Sequence, residues 1–361
     1  MTSAPSNEPW NVLKLLRWTQ DFFQQRGIDE PRLDAEILLG HTLGLSRVQL
    51  YTHFDRPLGP EDLASFKSLI KRRTNREPVA YIVGHREFWS MPFMVDKRVL
   101  IPRPDTETVV ELARYRARMI VGEPIRGQGE ISSIPLEDLQ TSQDLADHAL
   151  HPEDEDSEVA EAVADKTRVE PVVEPWRSDR RLLIADIGTG SGIIAVALAR
   201  ELPYADIVAT DISEDALNVA RINAETHKVT DRITFLKGDL TEPLSAHYEG
   251  RPFDLIVSNP PYIPESDLAG LDQEVQGHEP RGALTSGPSG LEAIEGLVSE
   301  AWRYIRPGGY LICEIGHDQG ESAPALFRAH STHWDAVRVI RDRFSGQHRV
   351  LEARRIQPPL S

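Results

Sequence analysis

The chain has 361 residues, more than one compact domain usually holds, and its formal net charge at pH 7 is -17. A single cysteine excludes a disulfide framework, and the most apolar runs are interrupted by glycines and acids, which excludes a membrane span. The acidic excess is concentrated in residues 121–180, and no segment is basic enough for strong binding to duplex phosphates. We therefore expect a cytoplasmic protein of two or three domains, without membrane contacts or high-affinity nucleic-acid binding.

The first 78 residues predict a small all-helical domain. Apolar residues recur at helical spacing in VLKLLRWTQDFF and RLDAEILLGHTLG, with breaks at Gly27, Pro31 and Pro57. Residues 67–78, KSLIKRRTNREP, form a modestly basic helix that would suit a nucleic acid or a ribosome, although a solvated helix face is the commoner explanation of such a pattern.

Residues 79–103 contain short β-rich runs around polar turns and predict a β-hairpin that links two domains. A helix is expected to begin near Pro104 and to run to Met119. Residues 121–179 are rich in Glu, Asp, Pro and Ser and cannot bury enough apolar surface to fold alone. For this acidic insertion we expect a disordered or loosely helical chain.

Beyond residue 180, apolar runs alternate with helical patterns, which is typical of a parallel, doubly wound sheet. The runs that predict strands are RLLIADIG, ADIVATD, RITFLKGD, FDLIVSNPP, GGYLICEIG, AVRVIRD and HRVLEAR. The fold class is therefore α/β, with residues 104–120 and 180–361 in one Rossmann-like, seven-stranded domain.

A glycine-rich turn follows the first of these strands, and a helix begins immediately after it. Glycines there allow a tight turn and a close approach of a ligand to the backbone, while the helix start offers N–H groups. The second strand ends at Asp211, where an acid can accept ribose hydroxyls, and Asp239 and Leu240 follow the third strand, near where adenine would lie. The residues of the turn that we assign to cofactor binding are Asp186, Gly188, Thr189, Gly190, Ser191 and Gly192.

The spacing of the glycines selects among adenosine-containing cofactors. The dinucleotide fingerprint requires G-x-G-x-x-G, whereas this chain has G-x-G-x-G with an acid two residues ahead of it. S-adenosylmethionine has no pyrophosphate and fits the tighter loop. An NAD-dependent oxidoreductase is therefore disfavoured, and S-adenosylmethionine is the predicted cofactor.

The fourth strand runs directly into SNPPY, residues 258–262. Pro260 and Pro261 cannot extend a sheet, so they keep the turn rigid and leave carbonyl groups free to accept hydrogen bonds. The side chain of Asn259, a rigid carbonyl and the ring of Tyr262 would together suit a planar group that carries an NH₂. The pattern predicts methyl transfer to a nitrogen.

These residues resemble the HemK/PrmC type of release-factor glutamine methyltransferases. The likeness rests on REFWSMPF (86–93), LIPRPDTE (100–107), SNPPYI (258–263) and HEPRGAL (278–284), together with the helical N-terminal domain. It covers nearly all of the chain apart from residues 121–179. The resemblance implies a class I methyltransferase domain, a substrate-recognition role for residues 1–78, and as substrate the glutamine of the Gly-Gly-Gln loop in peptide chain release factors.

The resemblance also implies roles for individual residues. Asn259 would accept one N–H of the substrate amide through its side-chain oxygen, the carbonyl of Pro260 would accept the other, and Tyr262 would stack on the flat amide. Glu279 would belong to a loop that folds over the substrate, with a loop salt bridge as an equally good explanation. Further residues expected at the substrate site or its entrance are Pro261, Arg103 and Asp105.

Two other functions remain open from the sequence. A DNA or RNA amino-methyltransferase would use the same loop, but it needs base-flipping elements and a basic groove. A non-catalytic module that retained the fold would bind the cofactor alone, against which Asn259 and Asp211 argue. The twelve histidines lack metal-ligand spacing, so we expect no metal, and we expect a monomer.

Overall fold

The computed structural model describes residues 9–123, 133–135, 181–247, 250–342 and 345–357. The chain divides into two compact units, one of Met1–Ile101 with Ser266–Leu284 and one of Pro102–Glu265 with Thr285–Ser361. Most of the acidic insertion predicted over residues 121–179 lies outside the described residues.

The first unit is helical with one hairpin, as its apolar spacing predicts. Side chains such as Phe23, Leu38 and Phe66 are fully buried in its core. Ser46 and Gln49 form a reciprocal capping box at one helix start, and Gly44 ends the preceding helix in the left-handed conformation. The helices are Val12–Gln24, Pro31–Leu43, Arg47–Thr52, Pro60–Thr74, Val79–Val83 and Gln273–His278.

The predicted hairpin forms from β1 (His85–Phe88) and β2 (Met91–Met94), which pair antiparallel. Trp89 and Ser90 connect them with positive φ angles of 54° and 55°, a turn whose twist matches that of paired strands. The hairpin is shorter than the predicted range 79–103, because Val79–Val83 is a helix. Short apolar runs of this length suit a helix or a strand equally well, which explains the difference.

Residues 266–284 belong with the first unit, although the sequence analysis assigned them to the sheet domain. The buried guanidinium of Arg73 joins this segment to the helices. It lies 2.6 Å from the carboxylate of Asp34 and 2.5 Å from that of Glu274. Contacts between residues so distant along the chain leave no local pattern in the sequence.

The second unit contains the predicted doubly wound sheet, with strand order β3-β9-β10-β8-β7-β4-β5-β6. The five strands from β6 to β8 in this order are parallel, and β9, β10 and β3 pair antiparallel. The strands are β3 (Ser133–Pro135), β4 (Leu182–Ile187), β5 (Ala205–Asp211), β6 (Ile233–Lys237), β7 (Phe253–Ser258), β8 (Ile305–Glu314), β9 (Trp334–Arg341) and β10 (His348–Arg355).

Seven of these strands are those that the sequence predicts, and β3 is an addition. It comes from the segment expected to be disordered or loosely helical, and that expectation is wrong for these three residues, which pair with β9 at the sheet edge. The edge offers unpaired backbone groups that even a short segment can satisfy. The helices of this unit are Glu107–Val121, Ile193–Glu201, Glu214–Thr226, Leu244–His247, Glu292–Glu300 and Ser322–Arg328.

The strand order reverses between β4 and β7. From β4 the chain proceeds through β5 to β6 on one side, and β7 then returns to the other side of β4. Ligands of such sheets bind beyond the carboxyl ends of the strands at this reversal. The glycine-rich turn follows β4 and SNPPY follows β7, so both lie there. In the part of the chain that the structure describes, no helix combines the length and apolarity that a bilayer crossing requires.

Candidate active site

The glycine-rich turn leaves open space in front of its backbone. Gly188, Gly190 and Gly192 all have positive φ angles, of 69°, 56° and 82°. A Cβ on Gly192 would lie 3.0 Å from the Cβ of Ala220, in the helix Glu214–Thr226. The close approach of that helix therefore requires a glycine at this position. A Cβ on Gly188 or Gly190 would meet no atom of the described residues within 4 Å. Their backbone therefore forms a cradle into which a ligand can fit.

Asp186 presents a carboxylate oxygen to this turn. Its Oδ2 accepts hydrogen bonds from the Thr189 hydroxyl at 2.7 Å and from the Ala195 backbone at 3.1 Å. Its buried Oδ1 has no hydrogen-bond partner among the described residues. Burial raises the pKa of Asp186 to about 7, and the bond from Thr189 opposes that rise. A buried, unpartnered acceptor beside an open cradle suits a ligand that carries N–H groups or positive charge.

Thr189 and Ser191 shape the turn. Both are buried, the Thr189 hydroxyl is used by Asp186, and the carbonyl of Ser191 accepts from the Asn223 amide at 2.8 Å. These contacts suggest an indirect role in cofactor binding. Ser191 holds the backbone of the turn, and Thr189 fixes the carboxylate of Asp186.

Asp211 ends β5 with both carboxylate oxygens fixed by backbone. Its Oδ2 accepts from the N–H of Gly190 at 2.9 Å, and its Oδ1 accepts from that of Ser213 at 2.9 Å. Burial raises its pKa, and these two bonds oppose the rise. Each oxygen keeps a second lone pair for an incoming hydroxyl. Asp239, which is exposed, and Leu240, which is half-buried, follow β6, the neighbour of β5 in the sheet.

Asn259 follows β7, and its side chain is held in a defined orientation. The Ser258 hydroxyl donates to the carbonyl of Ile187 at 2.8 Å, which fixes the end of the strand. The Asn259 Nδ2 then donates to Thr106 Oγ1 at 3.0 Å. Among the described residues, no hydrogen bond reaches Asn259 Oδ1 or the carbonyl of Pro260. The turn therefore presents two acceptors next to each other.

Tyr262 is anchored at both its hydroxyl and its backbone. The hydroxyl donates to Glu314 Oε1 at 3.0 Å, and burial raises its pKa. The Tyr262 carbonyl accepts from the side chain of Gln319 at 3.0 Å, and Gln319 also donates to the carbonyl of Gly290 at 3.2 Å. A Cβ on Gly290 would collide with the Tyr262 carbonyl. The loop is thus rigid beyond what its prolines impose.

Three further residues complete this side of the site and were missed by the sequence analysis, namely Thr106, Glu314 and Arg349. Glu314, the last residue of β8, is 1% exposed, and burial raises its pKa to about 7, opposed by Thr106, Arg349 and Tyr262. Arg349 pairs with Asp105 at 2.9 Å and lies 3.4 Å from the Tyr262 hydroxyl. An acid that ends the apolar run YLICEIG was the signal for Glu314, by the same logic that identified Asp211.

The remaining predicted residues differ in what they contact. Arg103 precedes the 3-10 turn Pro104–Thr106, and its carbonyl accepts from the Thr106 N–H at 3.2 Å. Pro261 is half-buried. Glu279 lies in the first unit, where its buried carboxylate accepts from the N–H of Ile101 at 3.1 Å, which favours a structural role over a substrate contact. Within the described ranges, no group of His, Cys, Asp and Glu could hold a metal ion.

Comparison with known proteins identifies the family of this chain. Residues 14–84 match the family model of the PrmC N-terminal domain, and residues 178–345 match that of a methyltransferase domain. The release factor glutamine methyltransferase of Geobacter sulfurreducens is 38% identical over 327 residues, which is 91% of each chain. That of Chlorobaculum tepidum is 40% identical over 87% of this chain and 88% of its own. That of Rhodopirellula baltica is 36% identical over 97% and 98%. The chain belongs to the family of release factor glutamine methyltransferases.

Proposed function

We propose that this chain transfers a methyl group from S-adenosylmethionine to the side-chain amide nitrogen of the glutamine in the Gly-Gly-Gln loop of peptide chain release factors, in support of translation termination. The observation that carries the proposal is the pair of neighbouring acceptors, Asn259 Oδ1 and the Pro260 carbonyl, beside the glycine-rich turn. The names of the relatives support the choice of substrate.

The methyl donor of the domain is S-adenosylmethionine, which supplies an electrophilic methyl group on a sulfonium. The residues around the turn fit it. The unpartnered Oδ1 of Asp186 suits the ammonium group, and the open cradle at Gly188 and Gly190 suits the amino-acid portion. The fixed carboxylate of Asp211 suits the two ribose hydroxyls. Asp239 and Leu240 are assigned to the adenine side.

Activation of the amide follows from the two acceptors. An amide nitrogen is a poor nucleophile because its lone pair is delocalised over the carbonyl. Asn259 Oδ1 accepts one N–H and the Pro260 carbonyl accepts the other, which draws electron density toward nitrogen and points it at the methyl group. The ring of Tyr262, held by its hydroxyl, provides a flat surface beside the amide. No dedicated base is needed, since the methylated nitrogen loses its proton readily.

The same acceptors explain the choice of an amide over a carboxylate. A carboxylate brings no donors and would face two oxygens, so it is repelled where an amide is bound. We assign recognition of the whole release factor to the helical residues 1–78. Because translation factors act in the cytoplasm, the proposed activity places the protein there.

Mass spectrometry of a purified release factor tests the proposal, after incubation with this protein and S-adenosylmethionine. We expect one added methyl group on the Gly-Gly-Gln glutamine and none on a factor in which that residue is glutamate. Methylation of DNA or RNA in a labelled-cofactor assay, with release factors untouched, would overturn the proposal.

A further inference from the structure

A buried carboxylate lies behind the two side chains that face the substrate amide. Glu314 is 1% exposed, its Oε2 has no hydrogen-bond partner among the described residues, and Arg349, whose charge lowers its pKa, pairs with Asp105. An incompletely paired buried carboxylate costs several kcal/mol, whereas a glutamine of the same shape would be cheaper. The residue is therefore hard to explain by stability alone. Above its pKa of about 7, this carboxylate offers what a glutamine does not, because both of its oxygens only accept hydrogen bonds.

This acceptor determines the direction of the hydrogen bonds around it. The Tyr262 hydroxyl donates to Glu314 Oε1 at 3.0 Å. The Thr106 hydroxyl lowers the pKa of Glu314, which means that it interacts favourably with the charged carboxylate, although Oε2 has no hydrogen-bond partner among the described residues. A hydroxyl has one proton and two lone pairs. With its proton attracted to Glu314, Thr106 must act as an acceptor toward its other neighbour.

That other neighbour is the amide of Asn259. A side-chain amide can be turned by half a revolution with almost no change of shape, which exchanges an acceptor for a donor. Thr106 Oγ1, 3.0 Å from Nδ2, selects the orientation in which Nδ2 points back into the protein. Oδ1 then remains available on the opposite side. A donor in that place would confront the N–H groups of the substrate amide.

We propose that Glu314 is a positioning residue for methyl transfer, which acts through the Thr106 hydroxyl to keep Asn259 Oδ1 facing the substrate and through the Tyr262 hydroxyl to fix the adjacent ring. The proposal rests on the amide chemistry of the proposed function. It adds a reason why the segment Pro104–Thr106, far from SNPPY in sequence, contributes a buried hydroxyl to this site.

The first experiment measures single-turnover methyl transfer to an intact release factor at about pH 8, where Glu314 is mostly ionised, with the dissociation constant of S-adenosylmethionine measured in parallel. Glu314→Gln and Thr106→Val should each lower the rate by about 10- to 100-fold, with cofactor affinity within about twofold. Thr106→Ser should recover most of the rate lost in Thr106→Val. Thr108→Val is the matched control, because its hydroxyl bonds to Asp342 at 3.3 Å and not to the site, and it should keep the wild-type rate.

The second experiment separates orientation from general loosening. The dissociation constants of a Gly-Gly-Gln factor and a Gly-Gly-Glu factor are compared in each variant. If Asn259 turns, its Nδ2 can donate to a carboxylate, so the preference for glutamine over glutamate should fall about tenfold in Glu314→Gln and Thr106→Val. A loosened site would weaken binding of both factors equally. The rate loss of the double variant should be smaller than the product of the two single losses, because both changes share the route through Asn259.

The outcomes distinguish the two proposals. If the wild-type protein leaves release factors unmethylated, the proposed function fails. If the wild-type protein methylates them while Glu314→Gln and Thr106→Val retain the wild-type rate or the wild-type preference for glutamine, only the positioning role of Glu314 is overturned.

Discussion

The two halves of the site are built from contacts of very different range. On the cofactor side, Asp186 contacts a residue three positions away and Asp211 contacts one 21 positions away. On the acceptor side, Asn259 contacts Thr106 across 153 positions, and Tyr262 contacts Glu314 across 52. The cofactor half therefore depends on β4, the turn and helix that follow it, and the adjacent strand β5. The acceptor half forms only once the whole sheet is assembled. Substitutions in the two halves should accordingly have different kinetic signatures.

The largest effect is expected from Asn259→Ala, which disables the acceptor half alone. Removal of a positioned acceptor should lower the methyl-transfer rate by roughly 100- to 1000-fold, because the lost interaction strengthens in the transition state. Cofactor affinity, measured by calorimetry, should change by only a small factor. Near wild-type turnover would show that the amide is activated elsewhere.

A somewhat smaller effect concerns stability and pH. Burial raises the pKa of Glu314 from 4.5 to about 7, so the folded state favours the protonated carboxyl. Stability from this group is present below pH 4.5 and is lost as the pH rises to about 7, by about 3 kcal/mol in total at about 1.4 kcal/mol per pKa unit. Glu314→Gln removes this loss, and its stability relative to the wild type should increase from pH 5 to pH 8 in urea unfolding.

Several groups near Glu314 are present in both proteins and therefore contribute little to this difference. They are Tyr262, Arg349 and Asp105, together with the neighbouring Cys313, whose thiol pKa burial raises to about 12. The pKa of Asp186 is likewise raised to about 7 and is unaffected by the substitution. A stability difference that is the same at both pH values would show that Glu314 is not held protonated by burial.

Asp211→Ala tests the cofactor half and should have the opposite signature to Asn259→Ala. Loss of the charged acceptor to which the ribose hydroxyls donate should weaken S-adenosylmethionine binding by roughly 10- to 100-fold. At saturating cofactor, the methyl-transfer rate should stay within a small factor of the wild type. Circular dichroism checks that the chain is folded, and an unchanged cofactor affinity would contradict the ribose assignment.

The smallest effect is expected from deletion of residues 136–175, which removes most of the acidic excess and leaves β3 in place. Because that composition buries little apolar surface, the melting temperature and the activity on a release factor should remain nearly unchanged. Loss of cooperative unfolding would assign the segment a structural role.

The difference in contact range also explains what the sequence could predict. The strands, the parallel sheet and the acids at its strand ends follow from apolar runs and glycines that are local in the chain. SNPPY was identified because its prolines are out of place after a core strand. Thr106 and Arg349 gave no such signal, since a threonine at a helix start and an arginine in a late strand are ordinary. The contact of Glu279 with Ile101 was equally invisible in the sequence, because the two residues lie 178 positions apart.

Residues 266–284 belong to the first unit although they follow most of the sheet in the sequence, and this affects how the chain folds during synthesis. When Met1–Ile101 has emerged from the ribosome, most of the helical unit has been made. Glu274 has not, although its carboxylate pairs with the buried guanidinium of Arg73 together with that of Asp34. The unit can be completed only after β4 to β7 have emerged, although its helices come first. A fragment that ends at Ile101 should therefore be less stable than its share of the core suggests. In this chain, the unit that is translated first is therefore completed only while the second unit is being made.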